Sequence, residues 1–123
     1  MKRVIIESPL SGDFARNVRY ARLCGLDSLR RGEAPYASHL IYTQMLDDRV
    51  PEERRMGMEA GFCWAAAADL RAFYVDLGFS DGMDEAQKLA QTMGQRTEKR
   101  YLPADLLAKL DEPEEGSTPG AID

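Results

Sequence analysis

Ser80-Asp81-Gly82 stands directly before an apolar repeat of helical spacing. At such a start a hydroxyl, free backbone N–H groups and the positive end of a helix dipole converge, a combination that favours a phosphate or carboxylate. The plainer alternative is an ordinary helix cap, for which serine is among the preferred residues. Glu7 closes the run Arg3-Val4-Ile5-Ile6. A carboxylate ending a buried apolar strand is partly desolvated, its pKa rises, and it can serve as base, acid or nucleophile. The alternatives for Glu7 are a solvated strand-end acid or the partner of a nearby arginine. His39 is the sole histidine, and with no Cys or Asp beside it in sequence it reads first as a structural hydrogen-bonder. Asp47-Asp48 has the chemistry to bind sugar hydroxyls but reads as a solvated loop. Asp69 sits where a helix ends or a strand starts, able to orient backbone or ligand. Trp64, Met56 and Met58, at helical spacing, read as core or oligomer contacts rather than a cofactor box.

Several signatures are missing. No Gly-x-Gly-x-x-Gly follows the first apolar run, and there is neither a Walker lysine nor a Cys/His spacing for a metal. A nicotinamide dehydrogenase, an ATPase and a zinc enzyme are therefore disfavoured, and neither cofactor nor metal is expected. Cys24 and Cys63, the two cysteines, cannot build a disulfide framework and read as small buried thiols in a reducing compartment. The formal charge of −5 is concentrated at one end: residues 111–123 hold five acids and no base, leaving 16 acids against 16 bases before them. A neutral body lacks the cationic excess that displaces counterions from nucleic acid. The acidic stretch reads as a disordered solvating tail following a domain over residues 1–110. No apolar run approaches the roughly 20 residues of a membrane span, and the N-terminus has too short an apolar part for a signal peptide. A cytoplasmic protein is expected.

These residues need elements to hold them. The β-branched run 3–6, closed by Ser8-Pro9-Leu10-Ser11-Gly12-Asp13, suits a strand buried on both faces. Phe14, Val18, Ala21, Gly25, Leu26 and Leu29 predict a helix of about 17 residues, capped by Asp13 and stopped by Gly32. Residues 34–37 form a weak strand because Pro35 fits only a start or an edge, and a loop through His39 and Asp47-Asp48 follows. Pro51-Glu52-Glu53 opens a second helix running to Ala67. Ala72-Phe73-Tyr74-Val75 predicts a third strand, and a helix with Met83, Ala86, Leu89, Ala90 and Met93 on one side runs from Ser80 to Gly94. A fourth strand over 99–102 and a short helix over 103–110 close the domain. The alternation βαβαβαβα predicts an α/β fold: a three-layer flavodoxin/Rossmann-like domain with a mostly parallel sheet of four to five strands. In such sheets ligands sit beyond the carboxyl ends of the strands, where residues 7–13, 39–48 and 76–82 fall.

The run Val4-Ile5-Ile6-Glu7-Ser8-Pro9-Leu10-Ser11-Gly12-Asp13, with Asn17, Tyr20-Ala21, Gly32-Glu33-Ala34-Pro35 and His39-Leu40, resembles the nucleoside 2-deoxyribosyltransferase-like superfamily. The likeness is to a small, often phage-encoded branch, related to 2′-deoxynucleoside 5′-phosphate N-hydrolases. The match continues through Pro51-Glu52-Glu53-Arg54, Gly57, Ala60-Gly61 and Trp64 to Ser80-Asp81-Gly82-Met83, and spans residues 3–102. The resemblance implies a flavodoxin-like sheet, often in a homodimer or higher homo-oligomer, binding a small nucleoside or nucleotide above the strand ends. It implies an N-glycosidase in which a carboxylate traps the oxocarbenium-like sugar while the base departs. Ser80 matches a serine that holds the 5′-phosphate, and Ser8 and Gly12 match a first loop that lines the site.

The chain departs from this pattern at its chemical centre. Relatives carry glutamate four residues after the glycine matched by Gly82; here that position is Ala86, and Glu85 comes one residue early. One residue turns a helical side chain by about 100° and moves it about 1.5 Å, so Glu85 points away from where the family glutamate points. Ser11 stands where many relatives have arginine, and Glu7 where they have a small residue. Two functions follow. One is an N-glycosidase, hydrolase or transferase, with Glu7 or Glu85 as the working carboxylate and His39 its neighbour, Ser80 and Gly82 on the phosphate, Ser8 and Gly12 framing the sugar, and Asp69 a further substrate-binding candidate. The other is a degenerate relative that binds a nucleotide or nucleotide-derived signal without turning it over.

Overall fold

The computed structural model describes residues 1–112; the acidic stretch read as a tail lies outside the described residues from position 113 onward. Strands β1 (Arg3–Glu7), β2 (Ala34–Tyr36), β3 (Leu70–Tyr74) and β4 (Thr97–Arg100) form one all-parallel sheet in the order β2-β1-β3-β4. Helices α1 (Phe14–Arg30), α2 (Ser38–Ile41), α3 (Pro51–Ala65), α4 (Asp81–Thr92) and α5 (Ala104–Leu107) flank it. This is the expected three-layer α/β, Rossmann-like architecture, with four strands. Among the described residues no helix is long and apolar enough to cross a membrane.

The strand order explains the composition of the strands. β1 and β3 are internal, and residues 4–6 and 70–74 are all buried. β2 is an edge strand of three residues that tolerates Pro35, while β4 is an edge strand reading Thr-Glu-Lys-Arg, the charged type that resists edge-to-edge pairing. Alternation along β1 and β3 divides the sheet. Val4, Ile6, Leu70, Ala72 and Tyr74 pack with Tyr20 and Cys24 of α1 and with Leu102, Leu106 and Leu110 around α5. The other face presents Ile5, Glu7, Arg71 and Phe73, with Phe73 packed on Met83 and Ala86 of α4.

Two helices bury faces other than those expected. In α1 the buried positions are Asn17, Tyr20, Ala21, Cys24, Asp27 and Ser28, whereas Phe14 and Leu29 are 50% and 59% exposed. The polar residues can go inward because each is paired. Asn17 Nδ2 donates to the carbonyls of Leu10 and Ser11, Tyr74 Oη donates to Asp27 at 2.7 Å, and Ser28 donates to Glu33 at 2.7 Å. In α3, which ends at Ala65 rather than Ala67, only Gly61 and Ala65 are buried, so Cys63 is an exposed thiol, not a buried one. Short α2 and a 3-10 turn (Tyr42–Gln44) replace the expected open loop after β2. Glycine on α3 makes room for them: a Cβ at Gly61 would lie 3.0 Å from Ser38 Oγ.

Arg100 ends β4 with its side chain 2% exposed, joined to Glu33 by two bonds of 2.8 Å. It also donates to Tyr74 Oη at 3.2 Å. The guanidinium holds the Glu33 carboxyl below its ordinary pKa. Breaking one half of a buried pair is far more costly than replacing both halves by apolar groups. Glu33→Ala is therefore expected to lower the unfolding free energy in urea by about 3–5 kcal/mol, and the double variant with Arg100→Met to recover most of that loss.

Candidate functional site

In a sheet of order 2-1-3-4 the crossover direction reverses between β1 and β3, and the crevice above that point is where doubly wound folds place ligands. Here it opens into a cavity of about 360 Å³ between the Ile5–Glu7–Arg71 face of the sheet and helices α2, α3 and α4, a volume in the range of small-molecule sites.

Glu7 and Arg71 lie on its sheet side. Ile5 is the register partner of Arg71, so Glu7, two residues on, is its diagonal neighbour on the same face. Arg71 Nη1 donates to Glu7 Oε2 at 3.0 Å, with the side chains 1% and 20% exposed. Burial raises the Glu7 pKa above its ordinary value and outweighs the opposing pull of Arg71. A carboxyl of this kind, held by one oxygen and free at the other, has the chemistry of a general acid, a base or a nucleophile.

Ser8, the next residue, turns its hydroxyl to His39: Oγ and Nε2 are 2.7 Å apart. The tautomer of a neutral imidazole sets which of the two donates. Burial pushes the His39 pKa down to about 4, so the ring is neutral at physiological pH. The seat of α2 on Gly61 of α3 brings His39 here, and Thr43 Oγ1 steadies it by donating to its carbonyl at 2.8 Å. Tyr36 Oη donates to Tyr42 Oη at 2.7 Å, and the Tyr36 ring lies 5.7 Å from that of Trp64.

The third wall is the start of α4. Ser80 is its N-cap and accepts from the Met83 N–H at 3.2 Å. The plain capping role is therefore real, and it coexists with a place on the cavity wall beside Asp81 and Gly82. The N–H groups of Asp81 and Gly82 occupy the first two helical positions, which have no acceptor within the helix. The loop leading to them is anchored by Asp76, which accepts from Tyr20 Oη at 2.7 Å and from the Leu102 N–H at 3.0 Å. Arg54 on α3 also lines the cavity and forms no ion pair among the described residues, while Asp48, Asp81 and Glu85 supply negative charge.

Of the residues nominated from sequence, Glu7, Ser8, His39, Ser80, Gly82 and Glu85 share this cavity. Glu85 is exposed, whereas neighbouring Ala86 is 4% exposed and packs on Phe73. Gly12 is not on the wall; its φ of +96° turns the first loop so that Ser11 lines the cavity and Asp13 caps α1. Asp69 is at the other end of the molecule. It immediately precedes β3, and in a parallel sheet every strand starts on the rim opposite the one where β1 ends. There it accepts from the Arg3 N–H at 2.8 Å and pairs with the Arg3 guanidinium. Arg71 and Gln95 were not anticipated. The signal for Arg71 was a single charge inside the apolar stretch Leu70-Arg71-Ala72-Phe73, on the strand next to Glu7. Gln95 carries no comparable signal. Among the described residues no group of three His, Cys, Asp or Glu side chains is placed to hold a metal.

The model of a family described as a domain of unknown function, DUF7768, matches residues 2–100. The chain belongs to the DUF7768 family. The matched span contains every residue that lines the cavity, so in this DUF7768 chain the site is part of the family domain and α5 lies beyond it. Among curated proteins there is no sequence match.

His39 gives this DUF7768 domain a pH signature. With its folded pKa below the unfolded value, the unfolded chain binds the proton more readily, so this contribution is fully present above pH 6.5 and fades as pH falls toward 4. Up to about 3 kcal/mol is involved at the lower end. The raised Glu7 acts with the opposite sign, so the comparison isolates the histidine: His39→Gln is expected to lose less stability than wild type between pH 7 and 5 in urea unfolding. Identical slopes would refute it.

Proposed function

We propose that the cavity binds a 2′-deoxynucleoside or its 5′-phosphate and that Glu7 is the carboxylate acting on the N-glycosidic bond. The observation that carries this reading is the convergence of Glu7, the Ser8–His39 pair and the amino end of α4 on one ligand-sized cavity at the β1/β3 switch point. The resemblance of residues 3–102 to nucleoside 2-deoxyribosyltransferase-like proteins supports the ligand class. The start of α4, with Ser80 and Gly82, suits the phosphate, and Arg54 is near enough to the same cavity to offset its charge. The buried face then holds the sugar, with the free oxygen of Glu7 toward the anomeric carbon. A carboxylate there traps an oxocarbenium-like centre as the base leaves, and water or a second base completes hydrolysis or transfer. Ser8, oriented by a neutral His39, suits a sugar hydroxyl.

A second reading has a specific observation in its favour. Ala86 occupies the position of the relatives' glutamate and is packed into the core with Phe73 and Met83, which suits a protein that binds such a ligand without cleaving it. The exposed apolar side chains of α3, Met56 and Trp64 above all, support the homo-oligomer that the resemblance implies.

Incubation with a panel of 2′-deoxynucleoside 5′-monophosphates, with chromatography for free base, tests the first reading. Release is expected from wild type, a fall of about 10³-fold in Glu7→Gln, and retention of most activity in Glu85→Gln. The working form is ionised Glu7, so kcat/KM is expected to drop on the acid side with a midpoint above the ordinary glutamate pKa of 4.5. Thermal stabilisation by these ligands without any base released would establish binding alone.

A further inference from the structure

Two of the three nitrogens of the Arg71 guanidinium have partners. Nη1 donates to Glu7 Oε2 at 3.0 Å. Nε donates to Gln95 Oε1, and the amide nitrogen of Gln95 is tied in turn to the carbonyls of Ala65 and Ala68 at 2.7 and 3.2 Å. Nη2 has no hydrogen-bond partner, alone among the buried side-chain nitrogens and oxygens of the described residues. Its side chain is 1% exposed and lines the cavity. Buried donors are almost always satisfied, and an unpaired one on a cation is costly. Arg71 lines a ligand-sized cavity, and a ligand that displaces the few atoms covering Nη2 can supply the missing acceptor.

The planarity of the guanidinium says where that acceptor sits. Nη2 shares one rigid plane with Nη1 and Nε; of its two N–H bonds one lies on the Nε edge held by Gln95 and the other on the Nη1 edge, where an acceptor is a neighbour of the Glu7 carboxylate. With Glu7 facing the anomeric carbon, the acceptors at hand are those flanking the glycosidic nitrogen of the base: the 2-carbonyl of a pyrimidine or N3 of a purine. Met58 and Met83 share the cavity wall, and their unbranched chains repack at low cost to admit a ring.

We propose that Arg71, through Nη2, donates to this acceptor and stabilises the negative charge that the base takes up as its glycosidic bond breaks; the proposal rests on the N-glycosidic reading above. The bond from C1′ to nitrogen breaks with its electron pair leaving on the base, and the free Glu7 oxygen forms the new bond to C1′. Water then cleaves this glycosyl ester, leaving hydroxyl on C1′ and carboxylate on Glu7, and its proton passes to the base. A fixed donor beside developing charge needs no reorganisation during the step, which is why such donors are strong catalysts. Gln95 is a positioning residue: it holds the guanidinium so that Nη2 is left free.

The test uses the full chain as wild type and as Arg71→Lys, which keeps a cation beside Glu7 without the planar fork, with Arg71→Met as a second variant and thermal melts to establish folding. The substrates are 2′-deoxyuridine 5′-monophosphate and its 5-fluoro counterpart, whose base leaves more readily. Arg71→Lys is expected to lose about 10²–10³-fold in kcat on the first and markedly less on the second. Equal losses, or none, overturn the proposal. Calorimetric titration with 2′-deoxyuridine 5′-monophosphate and its 2-thio analogue, a weaker acceptor, provides an arm that needs neither turnover nor a folded variant. Wild type is expected to prefer the oxygen form by about 10-fold, and a folded variant to lose that preference. No preference in wild type overturns the contact. The preference without any base release upholds the contact and overturns the cleavage reading instead.

Discussion

A cation inside a parallel sheet has to be paired, and the site is organised by the way Arg71 is paired. It projects from an internal strand into the interface between sheet and helices, 1% exposed. Burial of a lone guanidinium is prohibitive. Glu7 answers it from the neighbouring strand, Gln95 from the turn between α4 and β4, and Gln95 is held by the last carbonyls around α3. The chain of contacts thus runs from the end of one helix, through an amide and a guanidinium, to the carboxylate at the carboxyl rim. Glu7 is thereby fixed in place beside a cation, while burial still raises its pKa.

The opposite face solves the same problem without leaving anything unpaired. Arg100 is met by both oxygens of Glu33, by Glu98 at its Nε and by Tyr74 Oη, and Tyr74 and Ser28 pass the pairing on to Asp27 and Glu33. Each sheet face therefore contains one buried arginine. One of them is saturated and joins β4 to the end of α1; the other keeps a donor in reserve beside a cavity. Two arginines with similar burial thus separate into a structural role and a candidate binding role by counting acceptors.

The walls of the cavity come from distant parts of the chain by equally plain physics. Parallel strands end on one rim, which gathers Ser8 and the loop before Ser80. Gly61 on α3 lets α2 approach closely enough to present His39 to Ser8. Asp76 clamps the loop before α4 to Tyr20 and Leu102, so the helix start is aimed by the core of the other face.

Much of the fold was legible in the chain itself. Apolar runs closed by turn residues, and caps such as Asp13 and Ser80, specify local structure, and their alternation leaves few topologies other than a parallel sheet. That Glu7, Ser80 and Gly82 lie at one rim was legible for the same local reason: each stands at the end of a strand or the start of a helix. What the sequence could not decide was which groups meet across the fold. Pairing of Glu7 with Arg71 depends on strand order and register, and that of Ser8 with His39 on how a short helix seats. The inward turn of Asn17 and Asp27, against the apolar stripe of α1, depends on acceptors and donors supplied by other elements. Asp69 was misplaced because its position at a strand's start put it on the far rim. Spacing along a chain determines local geometry, whereas the partners that make a buried polar group affordable are known only once distant segments are brought together.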